Sequence, residues 1–327
     1  MSNGIEFLTS FDQLEEYVGD GGDVVIPYGI REIGWRSFSF CKKVTSVIIP
    51  KSVTKICQDA FECCTGLTEV TIPDSVIEIG DSAFYGCTAL KSIIIPDSVT
   101  KIDDRAFANC TGATSITFPD SVAEIGDGAF QGCRCLANED GFIIIRGVLH
   151  GYTDKDKVVS IPDGVTEIAT HAFEGCEVLS NITISNTITR IGSYAFYHCS
   201  GLTNITLPDT LTEIEEYMFS GCLNLSSIAI PNGVTKIGDS AFRDCTSLTD
   251  IIIPDGVTEI GRNVFEGCAN LKSLTIPDSV TKIKLAIDLN PPQKLTIYAS
   301  KDNKALKEWA KCYNVGYVPK YLENWEN

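Results

Sequence analysis

The stretch "IPDSVIEIGDSAFYGCTALKSI" (Ile72–Ile93) decides the fold, because its spacing recurs along the chain. Phenylalanine marks the repeat in steps of 23 residues, with one step of 43 residues. A cysteine follows three residues after each marker. The markers are Phe38, Phe61, Phe84, Phe107, Phe130, Phe173, Phe196, Phe219, Phe242 and Phe265, and the cysteines are Cys41, Cys64, Cys87, Cys110, Cys133, Cys176, Cys199, Cys222, Cys245 and Cys268. Ten units with one spacing indicate a repeat architecture.

Each unit predicts short extended segments joined by turns. "SIIIP" (92–96) alternates and is rich in β-branched residues, which favours a strand that ends at Pro96. "VTKI" (99–102) predicts a second extended piece, and "DSAFYGC" (81–87) has helical spacing over one or two turns. One unit cannot bury its apolar face, so the units must stack. We therefore predict an α/β repeat solenoid of 23-residue units with short parallel strands.

These units resemble the BspA-like family of leucine-rich repeats over roughly residues 26–285. The resemblance implies a right-handed leucine-rich-repeat solenoid, usually without enzymatic activity. It also implies a surface protein of bacteria or protists with an adhesive or binding role. The N-terminal "MSNGIEFLTS" lacks the basic and apolar segments of a secretory signal, so both a cell-surface and a cytoplasmic location remain open.

Charge alternates down the residues that precede the second isoleucine of each unit. The series is Glu32, Lys55, Glu78, Lys101, Glu124, Glu167, Arg190, Glu213, Lys236, Glu259 and Lys282. In a register-matched stack each charge meets the opposite sign in the next coil. The single break predicts that Glu124 and Glu167 are not neighbours. Between them we expect an insertion near 137–158, in which "GFIIIRGVLHGY" (141–152) forms a hairpin that finishes one coil irregularly and projects from the coils.

The ends are expected to be caps, which gives an N-terminal cap at 1–25, a solenoid at 26–285 and a C-terminal cap at 286–327. Ser10 and Gln13 have the spacing of a helix capping box. Phe11, Leu14, Tyr17 and Val18 then predict the apolar stripe of a short helix. "DNKALKEWAKCYNV" (302–315) predicts an amphipathic helix at the other end.

The composition argues against several functions. A net charge of -17 disfavours nucleic acid and anionic membranes as partners, and no apolar run is long enough for membrane insertion. A catalytic thiol would be singular and paired with histidine, whereas the cysteines form a column. That column fits a small buried hydrophobe, with disulfides between coils as the rival. We expect no enzyme, no metal and no cofactor.

The best candidate binding residues are those where the repeats differ. Two residues before the marker, three successive units carry His171, Tyr194 and Tyr217, with Tyr197 nearby. If exposed, this stripe could hold a protein or glycan partner, although ordinary surface variation also explains it.

A second set of candidates lies on the strand face, where alternation points Ile48, Ile94 and Ile252 outward. We expect a non-catalytic binding scaffold, in protein–protein or adhesive contact with a glycan or host surface. The alternative is a structural or assembly module that spaces or oligomerises other components.

Overall fold

The computed structural model describes residues 6–284, 296–299 and 303. The chain divides into two compact units, at residues 1–144 and 145–327. Each unit is a β-solenoid in which successive coils stack strand upon strand. The predicted C-terminal helix lies outside the described residues.

The first unit has three ladders of short strands. The first ladder runs in the order β1-β2-β4-β6-β8-β10-β12, the second β3-β5-β7 and the third β9-β11. The strands are β1 (Phe7–Ser10), β2 (Gln13–Tyr17), β3 (Gly22–Val25), β4 (Glu32–Ile33), β5 (Val44–Ile48), β6 (Lys55–Ile56), β7 (Glu69–Thr71), β8 (Glu78–Ile79), β9 (Ser92–Ile94), β10 (Lys101–Ile102), β11 (Ser115–Thr117) and β12 (Glu124–Ile125). Except for the antiparallel β1–β2 pair, neighbouring strands in these ladders are parallel.

The second unit repeats this arrangement. Its strands are β14 (Val148–Tyr152), β15 (Val158–Ser160), β16 (Glu167–Ile168), β17 (Asn181–Thr183), β18 (Arg190–Ile191), β19 (Asn204–Thr206), β20 (Glu213–Ile214), β21 (Lys236–Ile237), β22 (Asp250–Ile252), β23 (Glu259–Ile260), β24 (Ser273–Thr275), β25 (Lys282–Ile283) and β26 (Thr296–Tyr298). Parallel pairing links β14-β16-β18, β15-β17-β19, β20-β21-β23-β25 and β22-β24-β26. One more strand, β13 (Phe142–Ile145), ends at the boundary between the units.

The alternating charge column is confirmed as a register. Lys55 pairs with Glu78 across neighbouring strands, with Nζ 3.0 Å from Oε2. In the second unit Glu167 pairs on one side with Arg190, its ion-pair partner, and on the other with the uncharged Val148. The break in the charge series therefore marks an extra coil. The two strands of the insertion are present. β14 pairs with β16 within the stack, which agrees with the expectation that the hairpin finishes a coil, whereas the expectation that it projects is wrong for β14.

The marker phenylalanines form a continuous stack inside each unit. In the first unit, ring centroids from Phe38 to Phe130 are 4.8–5.7 Å apart, with planes within 16° of parallel. In the second, from Phe173 to Phe265, they are 5.1–5.9 Å apart. All ten rings are fully buried. The 23-residue spacing therefore places one aromatic ring over the next.

The segment with helical spacing is a turn rather than a helix. In the coil of Phe84, Ser82 and Gly86 both have positive φ, at 53° and 70°, which an α-helix cannot contain. The N–H of Phe84 donates to the carbonyl of Ala106 in the next coil at 2.7 Å, whereas the N–H of Tyr85 donates within its own turn to Ser82 at 3.0 Å. Across the described residues the one helix is a 3₁₀ turn at Arg134–Leu136. The helical part of the α/β prediction is therefore not confirmed.

The N-terminal cap is a β-hairpin, so the predicted helix is wrong there. Leu14 and Tyr17 are buried as expected, but Phe11 and Val18 are exposed. The physical reason is the edge of the sheet, since β2 continues the first ladder and pairs Leu14 with Ile33. Tyr17 also stacks on Phe38 at 5.0 Å and so takes the place of a marker phenylalanine.

The structural repeat is two coils rather than one. Two residues after the marker, a larger side chain in one coil alternates with glycine in the next, except at Phe40 in the first coil. In coils whose residue in the alternating charge column is basic, this position holds a larger residue: Cys63, Asn109, His198 or Asp244. In coils whose charge-column residue is glutamate, it holds glycine: Gly86, Gly132, Gly175, Gly221 or Gly267. A Cβ on Gly221 would come within 2.5 Å of Nδ1 of His198. Each larger side chain therefore occupies space that the next coil leaves free.

Candidate functional site

The cysteine column is a structural feature. The thiol of Cys87 donates to the carbonyl oxygen of Phe61 in the preceding coil at 3.1 Å. The same contact recurs seven more times, at 2.9–3.3 Å. Burial raises the pKa of Cys64 and Cys110 to about 12, which disfavours the nucleophilic thiolate.

Burial of the column is confirmed for nine of its members, while Cys41 is half-buried. All cysteines in the described part of the chain are free thiols. The cysteine S–H is a weak donor, so cysteine has a second role beside packing. It donates a hydrogen bond to a buried carbonyl oxygen, and alanine or valine could not donate that bond.

The candidate binding residues of the second unit form an aromatic row, defined as His171, Tyr194 and Tyr217 with Tyr197 at its side. His171 and Tyr194 stack with centroids 4.8 Å apart, and Tyr194 and Tyr217 with centroids 4.7 Å apart. Tyr197 contacts Tyr194 edge-on at 5.4 Å. The structure thus brings together all four residues that the sequence grouped.

The three residues of the row share a left-handed backbone position with the equivalent residues of other coils, such as Ser82 and Ser240. His171, Tyr194 and Tyr217 have φ of 62°, 58° and 54°. Such values are uncommon for large side chains. Hydrogen bonds to the next coil hold the backbone, with the N–H of Tyr194 donating to Glu216 and that of Tyr217 to Asp239, both at 3.0 Å. The tight spacing of coils at this position sets the ring separation.

The expectation that this stripe is exposed is wrong for His171. That residue is 6% exposed, and its Nδ1 lies 2.7 Å from Oε2 of Glu174. Tyr194, Tyr197 and Tyr217 are half-buried. The rings of His171, Tyr194 and Tyr217 cover one another face to face, and Tyr197 meets Tyr194 edge-on, so the row does not present a series of open faces to solvent.

The strand-face candidates point outward as predicted. Ile48, Ile94 and Ile252 are 52%, 67% and 69% exposed. They do not converge on one site, since Ile252 belongs to the second unit and Thr71 separates the two isoleucines of the first. Ile94 and Thr71 line a shallow depression where β7 and β9 belong to different ladders.

Sequence reasoning missed an ordered tryptophan in the first unit. Trp35 is 60% exposed, yet its Nε1 donates to Oδ2 of Asp59 at 3.3 Å. Nε of Arg36 donates to the same oxygen at 3.2 Å, and the guanidinium carbon lies 4.9 Å from the Trp35 ring centroid. The available signal was a tryptophan at a turn position where other coils carry small or polar residues.

The part of the chain that the structure describes holds no group of three or more His, Cys, Asp or Glu side chains arranged for a metal ion. None of its helices has the length and apolar character needed to cross a bilayer.

Comparison with known families decides what kind of solenoid this is. The model of the BspA-type leucine-rich repeat region matches residues 21–137 and 166–287, in six copies. The chain belongs to the BspA-type leucine-rich repeat family. The unmatched interval, 138–165, contains the extra coil of this BspA-type protein. The curated proteins contain no significant match.

Solved structures resemble this BspA-type chain over most of its length. A leucine-rich cell surface protein from Faecalibacterium prausnitzii A2-165 is 30% identical, with 86% of this chain and 92% of that chain covered and a TM-score of 0.50. The pneumococcal vaccine antigen PcpA is 21% identical, with 94% and 90% covered and a TM-score of 0.60. A leucine-rich repeat protein from Eubacterium ventriosum ATCC 27560 is 22% identical, with 78% and 88% covered and a TM-score of 0.52. At these lower identities the likeness concerns the fold alone.

Proposed function

We propose that this protein is a non-catalytic binding scaffold that holds a protein or glycan partner at the aromatic row of its second unit. The observation that carries the proposal is the row itself, where three stacked rings replace the small or charged residues of most other coils. Aromatic side chains of this kind are enriched at the residues that dominate binding energies. The similarity to a leucine-rich cell surface protein supports a role at a cell surface.

Rigidity strengthens the case for binding. Tyr194 is held by stacking on both faces and by the edge of Tyr197. A partner therefore meets side chains that lose little conformational freedom on association, which lowers the entropic cost of binding.

The test is a comparative capture experiment with candidate surface proteins and an immobilised glycan array. Wild type is compared with the double variant Tyr194→Ala/Tyr217→Ala and with Tyr28→Ala, a tyrosine of the first unit that is 85% exposed. We expect the double variant to lose a partner that Tyr28→Ala retains, while thermal melting shows that all three are folded. Equal capture by all three proteins would overturn the proposal.

One observation favours the alternative of an assembly module. The N-terminal hairpin exposes Leu8, Phe11 and Val18, at 44%, 102% and 47%. If this surface joins copies of the chain, sedimentation velocity will show concentration-dependent association that Phe11→Ser abolishes. A single species at all concentrations would exclude self-assembly through this hairpin.

A further inference from the structure

We propose that Asn232 is a site of spontaneous deamidation, at which the folded protein converts an asparagine into aspartate and isoaspartate. The site is the turn at 231–234 of the second unit, and the inference is independent of the aromatic row. It rests on the dipeptide Asn232-Gly233, on the hydrogen bonds around that turn, and on the asparagines that other coils carry.

Asn232 differs from the other described asparagines in the residue that follows it. Within residues 6–284, glycine follows Asn232 alone, whereas larger residues follow all the others. Glycine has no Cβ, so its backbone nitrogen can approach the preceding side chain with little steric hindrance. The same dipeptide also occurs at Asn3-Gly4, which lies outside the described residues.

The turn leaves both reacting groups accessible. Pro231 and Val234 are buried and close the turn, with the N–H of Val234 donating to the Pro231 carbonyl at 3.1 Å. Asn232 and Gly233 lie between them and are exposed. In the described part of the chain, neither the Asn232 side chain nor the Gly233 N–H takes part in a hydrogen bond. Ring closure between the two groups therefore breaks no existing contact.

The equivalent asparagine two coils earlier shows how this reaction is blocked elsewhere. Asn186 occupies the same turn position. Its Oδ1 accepts the N–H of Asp209 at 3.0 Å, and the N–H of Thr187 donates to Oγ of Ser185 at 3.2 Å. Both groups that ring closure requires are thus engaged. The β-branched side chain of Thr187 adds steric hindrance that Gly233 lacks.

The reaction proceeds through a cyclic succinimide. The backbone nitrogen of Gly233 forms a bond to Cγ of Asn232, and the Cγ–Nδ2 bond breaks as the side-chain nitrogen takes up the displaced proton and leaves as ammonia. Water then opens the ring. Cleavage of the new N–Cγ bond gives aspartate, whereas cleavage of the original main-chain amide bond gives isoaspartate. Water is the co-reactant, and nothing is oxidised or reduced.

The repeat accepts the aspartate product at this position. Asp209 and Asp255 occupy it in the coils on either side, and Asp255-Gly256 is the dipeptide that deamidation of Asn232-Gly233 creates. Three successive coils of the first unit carry aspartate at the same position: Asp74, Asp97 and Asp120. The aspartate form should therefore keep the fold.

The isoaspartate product changes the main chain itself. It adds a methylene group to the backbone between the buried residues Pro231 and Val234. The following coil is close, because a Cβ on Gly256 would come within 2.6 Å of the Asn232 carbonyl oxygen. A longer main chain displaces that carbonyl, so isoaspartate should weaken the contact between these two coils.

The test follows the asparagines of the folded, full-length chain during incubation in mildly alkaline buffer made with heavy-oxygen water. Peptide mapping by mass spectrometry measures the conversion of amide to acid, and electron-transfer fragmentation distinguishes isoaspartate from aspartate. Asn232 should become an acid that carries heavy oxygen, in both isomers, while Asn186 stays an amide. Asn3 lies in a different tryptic peptide and is measured separately.

Gly233→Ser is the matched control variant. Serine occupies this position in other coils, where Oγ of Ser75 donates to the carbonyl of Val53 at 2.6 Å, so the turn accommodates it. The variant should retain the Asn232 amide over the period in which wild type loses most of it. Conversion at the wild-type rate in Gly233→Ser, an amide at 232 that persists as long as that at 186, or aspartate without isoaspartate would overturn the inference.

Thermal melting after the same incubation tests the effect on the turn. Incubated wild type should melt at a lower temperature than incubated Gly233→Ser, in which Asn3 reacts alike. Fresh Asn232→Asp should melt as fresh wild type does, because the added charge leaves the main chain unchanged. Equal melting of the two incubated proteins would refute the predicted effect of isoaspartate.

Discussion

The phenylalanine stack offers the sharpest test of how the coils hold together. Phe84 lies between Phe61 and Phe107, with centroids 4.9 and 5.2 Å away and planes within 5°. Stacked aromatic pairs contribute about 0.5–1.5 kcal/mol each beyond area burial. Phe84→Leu keeps most of the volume but loses two such pairs, so we expect a cost of about 1–3 kcal/mol. Phe84→Ala, which leaves a cavity, should cost about 3–5 kcal/mol.

A double-mutant cycle isolates the ring–ring contribution. Urea unfolding, followed by circular dichroism, gives the free energy of unfolding of each variant. Phe61→Leu and Phe84→Leu, in adjacent coils, should show a coupling of about 0.5–1.5 kcal/mol. Phe38→Leu and Phe84→Leu, two coils apart, should be additive within about 0.5 kcal/mol. The exposed Phe40→Leu serves as the surface control. Additive losses for the adjacent pair would refute ring stacking as a source of stability.

Three further predictions follow from the thiols, the glycine positions and the titrating groups. Iodoacetamide should modify the half-buried Cys63 well before the buried Cys87, whose thiol pKa is raised by burial. Mass spectrometry that finds equal modification rates for the two cysteines in the folded protein would contradict this. Gly221→Ala should lower the free energy of unfolding in urea by about 1–2 kcal/mol, because Gly221 has a φ of 77° and a Cβ there would contact His198. Adding His198→Gly should restore part of that loss. If the double variant is no more stable than Gly221→Ala, the contact is refuted. Hydrogen bonds from Ser46 and Thr45 hold the pKa of Asp23 below its usual value. The stability that Asp23 contributes should therefore be present above its unfolded-state pKa and lost as the pH falls through its lower folded-state pKa. A carboxyl NMR titration in which Ser46→Ala leaves the pKa of Asp23 unchanged would contradict this prediction.

The stack was predictable from sequence because its positions are repeated many times. Phe84, Cys87 and the alternating Lys55 and Glu78 each have nine or ten counterparts at the same position of other coils, which makes the pattern visible. Stacking then brings residues at the same repeat position into contact. The break before Glu167 was visible for the same reason, and Val148 fills it.

The turns and the N-terminal cap were not predictable in the same way. Ser82 has a positive φ, and its N–H donates to the carbonyl of Asp104 in the next coil, so helical spacing was misleading there. The cap occurs only once, so no repeat reveals its structure. The capping-box spacing of Ser10 and Gln13 favours a helix, but Leu14 instead pairs with Ile33 as a strand at the sheet edge. Local propensity is a weak guide where a neighbouring strand supplies the template.

The candidate site was predictable as a group of residues and not as a geometry. The repeat position two residues before the marker phenylalanine varies between coils, and it grouped His171, Tyr194 and Tyr217. The burial of His171, however, depends on the neighbouring coil and on Glu174. The cation-holding arrangement of Trp35, Arg36 and Asp59 crosses two coils and shows no pattern in one copy of the repeat.

The most direct measurement of the central claim is hydrogen–deuterium exchange of the protein alone and with its captured partner. If the aromatic surface is the binding site, backbone amides over 192–222 should gain protection on binding, because this range carries Tyr194, Tyr197 and Tyr217. Amides over 250–253 on the strand face of the same unit should not change. Protection confined to the strand face or to the first unit, with no change over 192–222, would contradict the account.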